Sequence, residues 1–146
     1  MDIVLFIQQE VELLGWVFSY GNKSNINLID GDKDIEKIYF LCDVIPSNEP
    51  DTSEFGGDGA VDYTLNFMLL VHSDFSDVYF KQRNTEEGEG KYEKNILPLK
   101  TQLKKFKKVI DCSIYERRGW SIVEVIDKED FNGDGLGVGT TLREIE

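Results

Sequence analysis

The segment from Val61 to Val71 reads VDYTLNFMLLV and is the clearest guide to the fold class. Its odd positions are all apolar, whereas the even positions begin with Asp62, Thr64 and Asn66. Side chains of a β-strand point alternately to opposite faces, so one face of this segment is buried and much of the other is solvated. The pattern predicts a long central strand of an antiparallel α+β sheet.

The segments before this strand predict one helix and two or three strands. Asp2 is a plausible N-cap, apolar residues recur at helical spacing, and Gly15 supplies a helix-ending residue. The helical stripe comprises Ile3, Phe6, Ile7, Val11, Leu13 and Leu14. Short strands are expected at Trp16–Tyr20 and, after a turn, at Asn27–Asp30. Glu36–Ile45 is apolar on both faces, which indicates a strand covered on both sides.

The segments after it predict a second helix and a closing set of strands. We expect Asn95 to cap this helix and Pro98 to lie in its first turn. Its apolar stripe consists of Ile96, Leu99, Leu103, Phe106 and Ile110. Strands are expected at Cys112–Tyr115 and Trp120–Ile126, separated by a turn near Arg117–Gly119. The last strand places Leu136, Val138, Thr140 and Leu142 on one face. The order predicts an α+β fold, a single mostly antiparallel β-sheet with two helices packed on one face.

Length and charge limit the classes of function. The 146 residues fit a single α+β domain over 1–146, with long loops at 46–60 and 84–93. The net charge of −12 disfavours binding to nucleic acid or to anionic membranes, where cations supply the affinity. Residues 1–93 hold 6 Lys+Arg against 19 Asp+Glu, a net of −13, whereas residues 94–118 hold 8 against 2, a net of +6. Opposite charges on one small domain suit head-to-tail association, although an ordinary charged surface explains them equally well.

Cysteine usage and the N-terminus predict the compartment. Cys42 and Cys112 lie in apolar runs without a metal-binding spacing, so we expect both to be small buried hydrophobes in a reducing compartment. The first residues lack the basic start of a signal peptide, and no apolar run is long enough to span a membrane. These features predict a soluble protein that is intracellular where it is made.

The sequence predicts no enzyme. His72 is the single histidine, and no nucleophile elbow or phosphate-binding glycine motif accompanies it. The string Asp130–Gly135 matches the start of a calcium loop, so Asp130, Asn132 and Asp134 are weak metal candidates. Thr141 occupies the position where such a loop needs a bidentate Glu, and the same residues are typical of a turn between strands. We therefore expect no catalytic residue and no cofactor.

Two segments are candidate interaction surfaces. The loop Pro46–Ala60 is longer than most hairpin loops and is either an arm that reaches a neighbouring subunit or a flexible connection. Its interface candidates are Glu49, Asp51, Glu54, Phe55 and Asp58. The second helix is basic away from its apolar stripe, and its candidates are Lys100, Lys104, Lys107 and Lys108. Such a basic face either only solvates the helix or forms a contact surface.

The order of elements resembles the phage tail-terminator and tail-completion family, whose members form neck rings between portal and tail. The final pattern, strand Trp120–Ile126, turn Asp130–Gly135 and then Gly137–Leu142, is similar to the closing hairpin of small neck proteins in phages of Bacteroidetes, including the crAss-like group. The resemblance implies no catalysis and no cofactor, a homo-oligomeric ring in the virion, and assembly in the host cytoplasm. Implied partners are the portal and other neck or tail proteins, with DNA only as passing cargo and no membrane. The long hairpin loop of this family contacts a neighbour or the lumen; here it is Pro46–Ala60.

Two other classes remain open. A monomeric acidic binding or inhibitor module, of the DNA-mimic or immunity type, would use the −12 charge to block a basic partner. Many of the acidic residues lie in predicted loops, which does not favour the regular spacing that a DNA mimic needs. A metal-assisted enzyme built on Asp130, Asn132 and Asp134 ranks last, because no general base or nucleophile accompanies these residues.

Overall fold

The computed structural model describes residues 1–21, 37–49, 60–72, 90, 92–128 and 133–144. The described strands are β1 (Val17–Tyr20), β2 (Tyr39–Cys42), β3 (Ser47–Asn48), β4 (Asp62–His72), β5 (Tyr115–Lys128) and β6 (Gly133–Glu144). The described helices are α1 (Ile3–Leu13) and α2 (Leu97–Asp111), and a π-helical turn, Tyr92–Ile96, leads directly into α2. This content confirms the predicted α+β class.

The described strands form one sheet in the order β1-β2-β4-β6-β5, with the short β3 pairing to β4. Strand β4 is central, as its alternation predicts: Leu65, Phe67 and Leu69 are buried, whereas Thr64 and Asn66 are exposed. Every described pair is antiparallel except β1 with β2, which is parallel. Two parallel strands need a crossover connection, which returns the chain to the end of the sheet where the first strand began. The predicted strand Asn27–Asp30 falls in that connection, outside the described residues.

Strand β2 is covered on both faces, as predicted, but is shorter than the predicted Glu36–Ile45. All four of its residues are buried. Phe40 and Cys42 face the main core, whereas Tyr39 and Leu41 pack with Leu70 in a smaller cluster on the other face of the sheet. Beyond Cys42 the chain leaves this pairing, and Ser47–Asn48 pairs with β4 as β3, so part of the predicted loop Pro46–Ala60 is strand.

Both helices pack on one face of the sheet, as the two apolar stripes predict. Asp2 caps α1 by accepting a hydrogen bond from the backbone N–H of Val4 at 2.9 Å, and Gly15 ends the helix with a φ of 83°. Leu13 is an exception to the stripe, since it points to solvent. The predicted stripe of α2 is confirmed in full, with all five members buried.

An aromatic cluster joins the helices to the sheet. Phe40 stacks on Phe67 with ring centroids 4.3 Å apart, and Phe106 of α2 meets both rings at 5.3 and 5.5 Å. Trp16 and Trp120 close the cluster from the two sides. Aromatic rings combine a large buried area with a preferred packing geometry, so this cluster fixes how α2 lies over the sheet.

Four local predictions are wrong. Of the predicted strand Cys112–Tyr115 only Tyr115 is in a strand, since β5 begins there. Asn95 does not cap α2, because the π-helical turn already supplies the preceding helical residues and the Asn95 side chain instead donates to Asp134. Arg117–Gly119 is not a turn. Strand β5 continues through it as a bulge, with Gly119 at a φ of 69° and a register shift against β6. Cys112 is exposed, since it follows the end of α2 on the surface, whereas Cys42 is buried as predicted.

Candidate protein-binding groove

Helix α2 holds three of its lysines along strand β5. Its buried stripe packs against the sheet, so residues about a quarter turn away from that stripe lie beside the neighbouring strand. The result is an open concavity, here called the lysine groove, which is lined by Lys100, Leu103, Lys104, Lys107, Ile122 and Glu124.

Lys100 is held in place at one end of the lysine groove. Its Nζ donates to the Tyr92 hydroxyl at 3.0 Å and lies 3.5 Å from Oε1 of Glu124. The hydrogen bond to Tyr92, together with the nearby Glu124 carboxylate, raises the pKa of Lys100 and outweighs the opposing effect of burial. The charge of Lys100 is therefore already matched within the subunit.

Lys107 presents a charge that is not matched in this way. Its Nζ lies 5.2 Å from the centroid of the Trp120 ring, and the Arg117 guanidinium lies 5.7 Å from the same ring. Burial, and then the charges of Arg117 and Lys104, lower the pKa of Lys107. Neither Lys104 nor Lys107 forms an ion pair with a described residue, so the lysine groove carries unneutralised positive charge.

Arg117 keeps a partner of its own. Its Nε and Nη2 donate to the two carboxylate oxygens of Asp111 at 2.6 and 2.9 Å. These hydrogen bonds lower the pKa of Asp111 and raise that of Arg117. The pair is largely exposed, so it orients Arg117 toward Trp120 more than it stabilises the fold.

Strand β5 forms the outer wall of the lysine groove and is open to solvent on both faces. Ser121, Ile122, Val123 and Glu124 are all exposed, and the exposed fractions of Ile122 and Val123 are 40% and 63%. Within the described part of the sheet, β5 pairs with β6 alone. An edge strand presents unpaired backbone N–H and C=O groups, which makes it a template for another strand.

The structure brings some of the predicted interface residues together and separates others. Lys100, Lys104 and Lys107 share the lysine groove, whereas Lys108 is exposed outside it. Glu49 is exposed just after β3. The other candidates of the predicted loop, Asp51, Glu54, Phe55 and Asp58, lie outside the described residues. No motif in the sequence predicts a role for Ile122, Val123 and Glu124, although their position in a predicted strand that follows the basic helix is a usable signal.

A second exposed surface lies on α1, on the side away from the sheet. It is a shallow concavity lined by Leu5, Gln8, Gln9, Glu12 and Leu13, here called the α1 outer face. Leu5 and Leu13 are 56% and 72% exposed. Glu12 is its single charged lining residue, and no Lys or Arg occurs in residues 1–21, so this face is apolar and weakly acidic, unlike the lysine groove.

Asp134 occupies a strand rather than a calcium loop. It pairs with Val71 in the β4–β6 register, is fully buried, and accepts a hydrogen bond from Nδ2 of Asn95 at 3.2 Å. Asp130 and Asn132 lie outside the described residues. Among the residues that are described, no group of three or more His, Cys, Asp or Glu side chains is arranged to hold a metal ion.

His72 ends β4 on the face of the sheet opposite the helices, where it pairs with Gly133. Its side chain is half-buried, and Nδ1 has no hydrogen-bond partner among the described residues. No described side chain forms a nucleophile–base pair with it.

Comparison of this chain with protein-family models, with curated proteins and with solved structures found no match. Among the described residues, no helix is both long enough and apolar enough to span a membrane.

Proposed function

We propose that this protein is a structural virion protein, a ring-forming head-to-tail connector or tail-completion subunit of a phage neck. Its partners in that role are copies of itself, the portal, and other neck or tail proteins. DNA passes through such a ring as cargo, and the net charge of −12 suits a channel wall that must not grip DNA.

One observation carries the proposal: a single subunit bears two separate exposed surfaces of unlike chemistry. The α1 outer face is apolar and weakly acidic, whereas the lysine groove is basic with an apolar edge. A subunit in a stack of rings needs two kinds of contact, one with its neighbours in the same ring and one with the adjoining ring. We assign the α1 outer face to the first and the lysine groove to the second.

Within the ring, the α1 outer face of one copy would then meet a different surface of its neighbour. A head-to-tail contact generates a ring when its rotation closes and a filament when it does not. Leu13, at 72% exposed, is more exposed than Leu5, the other leucine of the α1 outer face, and gains more from being covered by a neighbour.

The test is light scattering coupled to size exclusion, across protein concentration and salt, followed by negative-stain imaging of any large species. We expect closed rings, with or without the portal as a template. Leu13→Glu should shift the distribution toward monomer. Val44→Glu is the matched control, because Val44 is similarly exposed, at 64%, but lies off the α1 outer face.

A strict monomer under every condition, including in the presence of the portal, would contradict the proposal. It would instead favour the monomeric acidic binding module. Equal effects of the two glutamate variants would show that the α1 outer face is not the contact within the ring.

A further inference from the structure

The outer edge of β5 has a short window suited to receiving another strand. Ser121–Val125 pairs regularly with Gly139–Gly135 of β6, and a register shift bounds this window on each side. The side chains of Ser121–Glu124 are exposed on both faces. Among the described residues, both faces of this window are therefore open to an added strand, with α2 beside one of them across the lysine groove.

We propose that β5 accepts an extended acidic segment of a partner protein as an added strand. In this mode of recognition the main chains supply hydrogen bonds along the edge, and alternate side chains supply specificity. The inference rests on the proposed function in one respect, namely that the lysine groove is a surface for an adjoining component.

The two faces of β5 set the chemistry of the added strand. Ile122 and Glu124 face the lysine groove, so side chains on that face of the partner strand lie beside Lys104 and Lys107. Both lysines lack an anionic partner among the described residues, which favours Glu or Asp in the partner. The opposite face continues from Val123, which is 63% exposed, and favours an apolar residue. The segment that fits alternates acidic and apolar residues.

A second copy of this chain fits the edge poorly. Antiparallel pairing of two β5 strands relates the copies by a two-fold axis perpendicular to the sheet, so both α2 helices lie on the same face. Their lysine grooves then adjoin, and like charges are brought together in a site where burial, and then neighbouring cations, already lower the pKa of Lys107.

The test measures binding of a fluorescein-labelled synthetic peptide of alternating Glu and Val to the full chain by fluorescence anisotropy. We expect saturable binding, and none for the matching peptide of alternating Lys and Val. Lys104→Glu/Lys107→Glu should weaken binding about tenfold, since two favourable charge contacts become repulsive. Lys105→Glu/Lys108→Glu is the matched control and should change binding little, because it alters the charge equally outside the lysine groove.

A second pair of peptides tests the strand itself. One carries N-methyl groups on the amides of its odd residues and the other on those of its even residues. A strand bound at one edge uses the amides of alternate residues, so one of the two peptides should lose binding and the other should retain it. Equal binding of both peptides would overturn strand addition, and equal effects of the two lysine pairs would overturn the assigned groove.

Two further outcomes would also overturn the inference. One is failure of the acidic peptide to bind. The other is a dimer that Val123→Lys dissociates in sedimentation experiments, since that result would assign the β5 edge to a second copy. Neither measurement depends on the α1 outer face, so ring formation and peptide binding can fail separately.

Discussion

Strand β6 offers a sharp test of the packing, because two of its glycines differ in the space around them. At Gly135 an added Cβ would overlap the backbone carbonyl oxygen of Leu69 and lie 2.8 Å from Cδ2 of Leu70. At Gly137 the nearest atoms to an added Cβ are Cγ2 of Val125 at 3.6 Å and the carbonyl oxygen of Val123 at 3.7 Å, which is ordinary contact.

Substitution by alanine should therefore change the free energy of unfolding very differently at the two sites. Overpacking in a well-packed interior costs about 1–3 kcal/mol. At Gly135 the obstruction is the backbone of the central strand, and no rotamer change can relieve it. We therefore expect Gly135→Ala to lower the free energy of unfolding by about 3 kcal/mol. For a chain of this length that loss lowers the melting temperature by roughly 6–12 °C. Gly137→Ala should leave it unchanged or slightly higher, since the unfolded chain loses freedom and nothing clashes.

Thermal unfolding followed by circular dichroism measures the difference directly. Each variant is first compared with the original protein by its far-ultraviolet spectrum at low temperature, which establishes that both are folded. The reasoning would be refuted if Gly135→Ala melted within a degree or two of Gly137→Ala, because the register that pairs Gly135 with Leu70 and places it against the Leu69 carbonyl would then be wrong.

Three further predictions concern ionisable and polar groups. Hydrogen bonds from Arg143 lower the pKa of Asp62, so the stability that Asp62 contributes is present above its unfolded pKa and is lost as pH falls through the folded value. In urea unfolding, Asp62→Asn should lower the free energy of unfolding by less than about 1 kcal/mol, because the pair is so exposed. This difference should shrink as pH falls below about 4, and a difference that stays constant with pH would contradict the prediction. Iodoacetamide should label the exposed Cys112 well before Cys42, whose pKa burial raises to about 12, as mass spectrometry would show; equal labelling would exclude this burial. Asn95→Ala removes a donor from a fully buried carboxylate and should cost about 1–3 kcal/mol in thermal unfolding, whereas an unchanged melting temperature would mean that this hydrogen bond contributes nothing.

The elements that could be predicted are those in which burial of one face requires apolar residues at regular spacing in the sequence. Strand β4 and helix α2 are the clearest cases, because a two-residue and a three-to-four-residue period cannot be confused over such lengths. Asp2 and Gly15 added the correct ends of α1, since capping depends on neighbours within a few residues. Local chemistry was sufficient for these features.

The features that could not be predicted depend on partners distant in the chain. Arg117–Gly119 has the composition of a turn, yet pairing with β6 on both sides of it keeps the strand continuous and turns the glycine into a bulge. Asn95 has the composition of a cap, yet Asp134 lies 39 positions later and takes its side chain. The parallel pairing of β1 with β2 leaves no local trace either. In each case tertiary context overrides local preference.

The lysine groove shows how far a charge count can mislead about a partner. The net charge of −12 repels an acidic partner at a distance, but salt at physiological strength screens that repulsion beyond roughly 8 Å. At contact, the partner meets Lys104 and Lys107, which have no anionic partner among the described residues. Lys107 is partly buried, and charges out of water are screened much less. An acidic segment is thus opposed during approach and favoured only once it lies along β5. This combination selects a partner by the shape and spacing of its charges, which is a stricter criterion than opposite net charge.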